Sequence, residues 1–222
     1  MKSMKSLAFG LAFLAALCLS PTSQAHEGHD STATGAATAT TINAKQAATR
    51  AVLRDLWVEH VFWIRNYVTA SAARNQDQKE IAADQVVANA KAIAGAIASF
   101  YGQPAGDRMF GLLAGHWGAV KDYSDATFDK KDARAQQEAT TRLIANAKEI
   151  AAFLAGANPN LPESTLVGLL SAHGAHHIAQ IQQISKRDYA AEAATWEAMR
   201  THMFTIADAL ADALAKQFPA KF

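Results

Sequence analysis

Cysteine is almost absent from this sequence of 222 residues. The single cysteine, Cys18, lies in an N-terminal segment that we expect to be removed. A mature chain without cysteine has no disulfide framework, no catalytic thiol and no attachment point for a c-type haem. The stability of the folded protein must therefore come from core packing.

The first 25 residues have the composition of a secretory signal peptide. Lys2 and Lys5 precede an apolar run at residues 7–19, and residues 23–25, Ser-Gln-Ala, form a small-x-small cleavage site. The apolar run is too short to span a membrane. The sequence therefore predicts cleavage after Ala25 and a periplasmic or secreted protein.

An excess of one charge and long apolar runs are also lacking. Without Lys2 and Lys5 the chain carries 19 basic and 20 acidic residues, and no long basic run. Nucleic acid and anionic membranes are therefore poor candidate partners. No segment after the leader is apolar for 18 residues, which argues against stable membrane insertion. The sequence identifies no protein partner.

Motifs of the common enzyme classes are missing as well. The chain has no Gly-x-Ser-x-Gly, no Gly-rich phosphate loop, no His-Glu-x-x-His and no Glu-x-x-His pair of the di-iron bundles. The sequence therefore gives little indication of enzyme chemistry, although it does not exclude an enzyme.

What the chain does contain is a helical pattern. Residues 26–42 include an Ala/Thr/Gly tract without periodic apolar residues, which predicts a flexible linker. From Asn43, which with Gln46 forms an N-cap signal, apolar residues recur at i, i+3, i+4 and i+7, and no run alternates like a strand. Residues 43–222 are therefore predicted to form an all-α bundle of six helices, at 43–73, 78–101, 106–124, 130–156, 162–187 and 189–217.

The chain also repeats itself at a spacing of 57 residues. Residues 88–116 align with residues 145–173 without a gap, and 11 of these 29 positions are identical. Each copy is one helical hairpin that ends in a histidine, His116 in the first and His173 in the second.

The first and last helices form a weaker pair. His60-Val-Phe-x-Ile in the first helix resembles His202-Met-Phe-x-Ile in the last. Together with the hairpin repeat, this match predicts a pseudo-twofold bundle in which His60 corresponds to His202.

Four histidines are centred on the apolar stripes of four different helices. They are His60, His116, His173 and His202. At 100° per residue, His177 lies about 40° from His173 on the same face, whereas His176 lies about 60° to the other side. The sequence thus predicts four buried imidazoles and a fifth beside one of them.

Matching positions on four helices indicate a shared site. A lone buried histidine is usually a neutral ring hydrogen-bonded in the core, but several without partners would be costly. Brought together, the rings can satisfy one another, line a polar pocket or bind a cation. Neutral imidazole is the commonest metal ligand, and zinc, copper and nickel suit all-nitrogen sites. His177 is a reserve ligand in this hypothesis.

Four more side chains are candidates for holding the second nitrogens of the histidines. They are Asn89, Asn146, Tyr67 and Tyr123. The alternatives are capping of neighbouring backbone for the asparagines, and either core packing with a bonded hydroxyl or a role as catalytic acids for the tyrosines.

A separate candidate site lies in residues 26–30, His-Glu-Gly-His-Asp. Cleavage after Ala25 would make His26 the amino terminus, so that its α-amine and ring can chelate copper with His29 as a further ligand. The alternative is a polar spacer.

The sequence resembles a bacterial family of small all-helical proteins, mostly uncharacterised, some of which carry a glycosyltransferase label. The resemblance spans about residues 50–222 and implies that His60, His116, His173 and His202 occupy motif positions, and that His176 and His177 do not. It implies no established activity, and nucleotide-sugar enzymes of the usual kind need an α/β domain. The motifs that carry it are Leu56-Trp57-x-x-His60-x-x-Trp63-x-Arg65, Tyr101-Gly102, Ala105-Gly106, Leu112-Leu113-x-x-His116, Ala157-Asn158-Pro159, His202-x4-Ala207-Asp208 and Gln217-Phe218-Pro219-x-Lys221-Phe222.

A fainter likeness is to DinB-like helical metalloproteins. There, His-x3-His-x2-Gln-Ile closes a three-histidine site, which here corresponds to residues 173–181. That likeness implies His173 and His177 as ligands, with His116 or His60 as the third.

The leading hypothesis is an exported bundle that binds a divalent transition metal and serves in metal binding or sensing. One alternative is a metal-assisted hydrolase or other enzyme that uses the same site, and the other is a metal-free scaffold or interaction protein.

Overall fold

A computed structural model describes residues 43–222, and these residues form six α-helices. The helices are α1 (Ala44–Ala73), α2 (Gln76–Tyr101), α3 (Gln103–Asp125), α4 (Ala133–Ala157), α5 (Glu163–Ser185) and α6 (Tyr189–Gln217). The predicted signal peptide (1–25) and linker (26–42), with His26 and His29, lie outside the described residues.

The predicted all-α bundle is confirmed, and each helix begins and ends within three residues of its predicted bounds. Two short turns were not predicted: a π-helical turn, Ala126–Lys130, that continues α3, and a 3-10 turn, Pro219–Lys221. The 57-residue repeat and the pseudo-twofold relation stay predictions from the sequence.

Polar caps define where several helices begin. The side chain of Asn43 accepts a hydrogen bond from the backbone N–H of Gln46 at 2.8 Å, as the sequence predicted. Asn75, Asp132 and Asp188 cap α2, α4 and α6 in the same way. Each cap satisfies N–H groups that have no partner inside the helix.

The six helices pack as a closed ring. Each helix contacts its neighbours in sequence, and α6 returns to pack against α1. Because the connections are short, consecutive helices run antiparallel, so α1, α3 and α5 point the same way. These three helices also contact one another across the middle of the ring.

Ion pairs join α1 to α6 where the ring closes. Arg54 forms a bidentate pair with Asp208, at 2.7 and 2.5 Å, and Arg50 pairs with Asp212. Further along, Arg65 forms a bidentate pair with Glu192, at 2.6 and 2.7 Å, and Glu192 is 3% exposed. Bidentate geometry makes these pairs more specific than ordinary surface ion pairs.

The core consists of two apolar clusters stacked along the ring axis. One cluster contains Leu53, Trp57, Leu113 and Leu170, and the other contains residues further along the same three helices, such as Ile64, Val120 and Ile181. The sequence positions between them on α1, α3 and α5 are those of the buried histidines. The histidines therefore form a polar layer inside an otherwise apolar core.

None of the six helices is both long enough and apolar enough to cross a membrane.

Helices α2 and α3 approach each other closely at Gly106, near the beginning of α3. A Cβ added there would lie 2.8 Å from Cβ of Ala98 and 3.0 Å from the carbonyl oxygen of Ala94. We expect Gly106→Ala to lower the free energy of unfolding by about 1–3 kcal/mol, because the helices must move apart.

The matched control is Gly111→Ala, on the exposed face of the same helix, where a Cβ meets no atom within 4 Å. It should raise the free energy of unfolding by up to about 1 kcal/mol, since alanine favours helix over glycine. Urea unfolding followed by circular dichroism measures both. Equal effects of the two substitutions would contradict the close contact.

Candidate metal centre

Four buried histidines meet at the centre of the bundle. They are His60 on α1, His116 on α3, and His173 and His177 on α5, and we refer to them as the histidine quartet. One ring nitrogen from each lies within 4.8 Å of all the others. The four side chains are between 1% and 4% exposed, so the site is closed to bulk solvent.

The rings of the quartet are in mutual contact. Their centroids lie between 4.5 Å, for His173 and His177, and 6.2 Å, for His60 and His177. The Nε2 atoms of His173 and His177 are 3.2 Å apart, the one close nitrogen–nitrogen contact recorded among the four. Trp57 packs edge-on against His60 at a centroid distance of 5.9 Å and covers the quartet on that side.

Burial keeps the quartet neutral. It lowers the pKa of His60 to about 3 and that of His116 to about 4, and it holds the pKa of His173 and His177 well below the ordinary value of 6.5. Repulsion from neighbouring rings adds to this lowering for His60, His173 and His177. At neutral pH all four rings therefore carry a lone pair on one nitrogen, which is the form that binds metal ions.

Several ring nitrogens of the quartet have no hydrogen-bond partner in the described part of the chain. They are both nitrogens of His60, Nε2 of His116 and Nδ1 of His173. Each buried polar atom left without a partner costs about 1–3 kcal/mol. The quartet is therefore an expensive arrangement unless something binds to it.

A backbone contact that recurs in three helix pairs sets the position of the quartet. The leucine one turn before His60, His116 or His173 accepts a hydrogen bond, through its carbonyl oxygen, from a polar side chain on the following helix. The three contacts are Asn89 to Leu56 at 3.0 Å, Asn146 to Leu112 at 2.9 Å and His202 to Leu169 at 2.8 Å. The partners are 33, 34 and 33 residues apart, so the pairs α1–α2, α3–α4 and α5–α6 are built alike at this level.

The two asparagines lie close to the histidines, and their role beside a metal stays a prediction. Asn89 raises the pKa of His60, and Asn146 that of His116, against the larger effect of burial. The NH₂ groups of both asparagines donate to backbone carbonyls, and their Oδ1 atoms have no hydrogen-bond partner among the described residues. Each Oδ1 is thus available to accept from a histidine N–H when the other ring nitrogen binds a metal.

The tyrosines do not support the histidines. The hydroxyl of Tyr67 donates to Asp125 at 2.7 Å, and the hydroxyl of Tyr123 accepts from Gln182 at 2.9 Å. The prediction of a role beside the metal is corrected for both, because seven residues along a helix is about 10 Å. Both rings pack in the second apolar cluster.

His202 and His177 exchange their predicted places. His202, predicted as a ligand, lies outside the quartet, and its Nε2 donates to the carbonyl of Leu169. His177, predicted as a reserve, is inside. The physical reason is that α6 packs on the outside of α5, whereas α5 contacts both α1 and α3 and presents two successive turns to the centre.

A small cavity borders the quartet on the side of the first apolar cluster. Its volume is about 10 Å³, and it is lined by His60, His116 and His173 together with apolar side chains such as Trp57 and Leu170. That volume suits about one water molecule.

The quartet fits a metal in ligand chemistry and in approximate spacing. Zinc–nitrogen bonds are about 2.0 Å long, so two nitrogens on one tetrahedral ion lie about 3.3 Å apart. His173 and His177 already have this spacing, and the more distant rings must move inward. The nitrogen-only ligand set fits zinc, copper or nickel, and among residues 43–222 no carboxylate belongs to the group.

Two further residues, Gly115 and Glu192, were not singled out from the sequence. A Cβ at Gly115 would lie 3.2 Å from the amide nitrogen of Asn146, so glycine at this position makes room for that amide. Glu192 is a buried carboxylate that also accepts from Gln180 at 3.1 Å. The sequence does contain a signal for the contact that recurs in three helix pairs. It is the spacing Leu-x3-His, which occurs at His60, His116 and His173.

Comparisons with known protein families, with curated proteins and with solved structures found no match to this chain.

The buried neutral histidines predict that the metal-free protein loses stability in mild acid. Their pKa values are lower in the folded protein than in the unfolded chain, so the unfolded chain binds more protons below about pH 6.5. Stability is therefore present above that pH and falls as the pH drops towards the folded values. Near pH 5 the four rings together should lower the free energy of unfolding by about 5 kcal/mol per pH unit.

Urea unfolding at several pH values in the presence of a chelator measures this slope. His177→Gln removes one titrating ring, so it should reduce the slope of the free energy of unfolding against pH by about 1.4 kcal/mol per pH unit. The matched variant Tyr67→Phe should leave the slope as it is in the wild type. A free energy of unfolding that stays constant between pH 7 and pH 5 would contradict the neutral, buried quartet.

Proposed function

We propose that this protein binds a transition-metal ion at the histidine quartet and acts after export, as a periplasmic or secreted metal-binding or metal-sensing protein. The observation that carries the proposal is the convergence of four buried, neutral imidazoles from three helices within 4.8 Å. Zinc, copper and nickel are the candidate ions, because each accepts nitrogen ligands from histidine.

The unpaired polar atoms around the quartet support binding over a purely structural role. Without an ion, nitrogens of three of the four histidines and the oxygens of Asn89 and Asn146 lack hydrogen-bond partners among residues 43–222. An ion would take one lone pair from each histidine and fix its other nitrogen as an N–H donor, for which the asparagine oxygens are acceptors. A metal-free scaffold would gain more stability from apolar side chains at these positions.

The small size of the cavity bears on the enzyme alternative. A hydrolase needs an ion with an open coordination position and room for a substrate. The cavity beside the quartet has room for about one water molecule, and the residues that line it are buried. It can supply the water but does not admit a substrate, so we favour metal binding over hydrolysis.

A sensing role would follow from the way in which the site joins helices. The ligands come from α1, α3 and α5, whose mutual contacts are few compared with their contacts to α2, α4 and α6. Binding an ion would draw these three helices together at one level, which gives the bound protein a different stability and helix spacing from the free protein.

Export is proposed on the sequence alone. The basic start, the apolar run at residues 7–19 and the Ser-Gln-Ala site at residues 23–25 support it. The absence of cysteine after residue 18 means that an oxidising compartment does not interfere with the proposed metal ligands.

Metal content tests the proposal directly. Protein purified from its native compartment should contain about one transition-metal ion per chain by elemental analysis. Adding the ion back to chelator-treated protein at about 1,000 times its dissociation constant should stabilise the fold by about 4 kcal/mol. For a domain of this size that corresponds to a rise in melting temperature of roughly 8–16 °C.

His60→Ala and His173→Ala should lose the bound metal and the rise in melting temperature. Tyr67→Phe is the control, because it removes a hydroxyl that donates to Asp125 and leaves every histidine in place. This variant should keep the bound metal and the rise in melting temperature. Circular dichroism of the metal-free variants checks that they fold. Equal and negligible metal in the wild type and all variants would overturn the proposal.

Export has its own test. The protein recovered from the periplasmic fraction or the medium should begin at His26 on N-terminal sequencing, because cleavage follows Ala25. Recovery of the chain in the cytoplasm with Met1 in place would contradict export and would leave the metal site unaffected.

A further inference from the structure

The histidines of residues 43–222 fall into two groups. Four form the quartet, and the other two, His176 on α5 and His202 on α6, face each other at the seam between those helices. We refer to these two as the outer pair. Both rings of the outer pair are partly exposed, whereas every ring of the quartet is buried.

The hydrogen bond of His202 does not by itself require an imidazole. In the two other helix pairs, Asn89 and Asn146 make the same contact to the corresponding leucine carbonyl. An amide therefore suffices to join the helices at this level. In the third helix pair, α5 and α6, the imidazole of His202 makes this contact, and the imidazole of His176 lies beside it.

The two rings of the outer pair lie as close to each other as rings of the quartet do. The ring centroids of His176 and His202 are 5.5 Å apart, which falls within the range of 4.5–6.2 Å found in the quartet. Because Nε2 of His202 donates to the carbonyl of Leu169, its Nδ1 carries the lone pair. Nδ1 of His176 is buried and has no hydrogen-bond partner among the described residues.

The outer pair also lies next to the quartet. His176 precedes His177 in the chain, and His202 is bonded to α5 one turn before His173. The rings of this pair are partly exposed, so an ion from solvent would reach them before any ring of the quartet, and the ring of His176 must turn to present its buried Nδ1 to that ion. Two ligands bind an ion more weakly than four do, so an ion bound by the outer pair can be transferred to the quartet.

We propose that His176 and His202 form a loading site, which captures a transition-metal ion from solvent and passes it to the quartet. This inference rests on the proposed function of the quartet. The transfer exchanges neutral imidazole and water ligands, so the ion keeps its charge and no electron is transferred. The loading site affects how fast the quartet gains and loses its ion and leaves the affinity of the quartet unchanged.

Stopped-flow mixing of the metal-free protein with cobalt(II), followed by its absorption bands, measures the rate of loading. We test His202→Asn, which retains a donor for Leu169 as Asn89 does for Leu56, and His176→Gln. Each should slow loading by at least about tenfold, the size typical of losing a partner near a metal site. Removal of the ion by excess chelator should slow by the same factor, because the equilibrium affinity is unchanged.

Glu197→Gln is the control, since Glu197 is an exposed carboxylate on α6 that pairs with Arg200 instead of a histidine. It should load at the wild-type rate. Wild-type loading and removal rates in both histidine variants, with cobalt still bound, would overturn the loading site and leave the proposed function standing. Loss of equilibrium binding in these variants would also overturn it, by making the outer pair part of the final site. A wild-type protein that binds no metal would overturn both proposals.

Discussion

The structure depends on one constraint: an imidazole buried in an apolar core must find a partner for its nitrogens. Four imidazole rings are buried at a single level of the bundle, where few other polar groups lie close enough to bond to them. The asparagines that reach this level donate their NH₂ groups to backbone carbonyls, and that of Asn89 also to Glu59, while their oxygens have no hydrogen-bond partner among the described residues. A cation that accepts lone pairs would supply partners for these nitrogens.

The helix ring explains how distant parts of the chain supply these rings together. Antiparallel packing makes α1, α3 and α5 equivalent in direction, and the leucine one turn before each histidine is held by the next helix. The same contact, made three times, brings His60, His116 and His173 to one height. The contacts thus follow three helix pairs, whereas the predicted pseudo-twofold relation matched His60 with His202. The third pair differs from the other two by its additional histidines, His176, His177 and His202.

Much of the fold and part of the site could be predicted from the sequence. The period of apolar residues and the Asn43 cap gave helix bounds within three residues, and the stripe positions correctly predicted burial of His60, His116 and His173. The exclusion of His202 could not be predicted, because a stripe that faces the bundle centre and one that faces a neighbouring helix have the same pattern. Likewise, the choice between His176 and His177 depends on the rotation of α5 against α1 and α3, which only tertiary packing sets. The prediction for Tyr67 and Tyr123 was wrong because two residues on the same face of a helix can lie at different positions along its axis.

The polar layer between the two apolar clusters has a consequence for the register of the helices. Uniform apolar stripes, rich in alanine, would allow α1, α3 or α5 to slide by one turn at little cost, since one small apolar side chain replaces another. With histidines at one level, such a slip would leave an imidazole in hydrocarbon and separate it from the other rings. A single buried polar residue sets alignment in coiled coils in the same manner. The quartet therefore selects one axial alignment of the inner helices by its polarity alone.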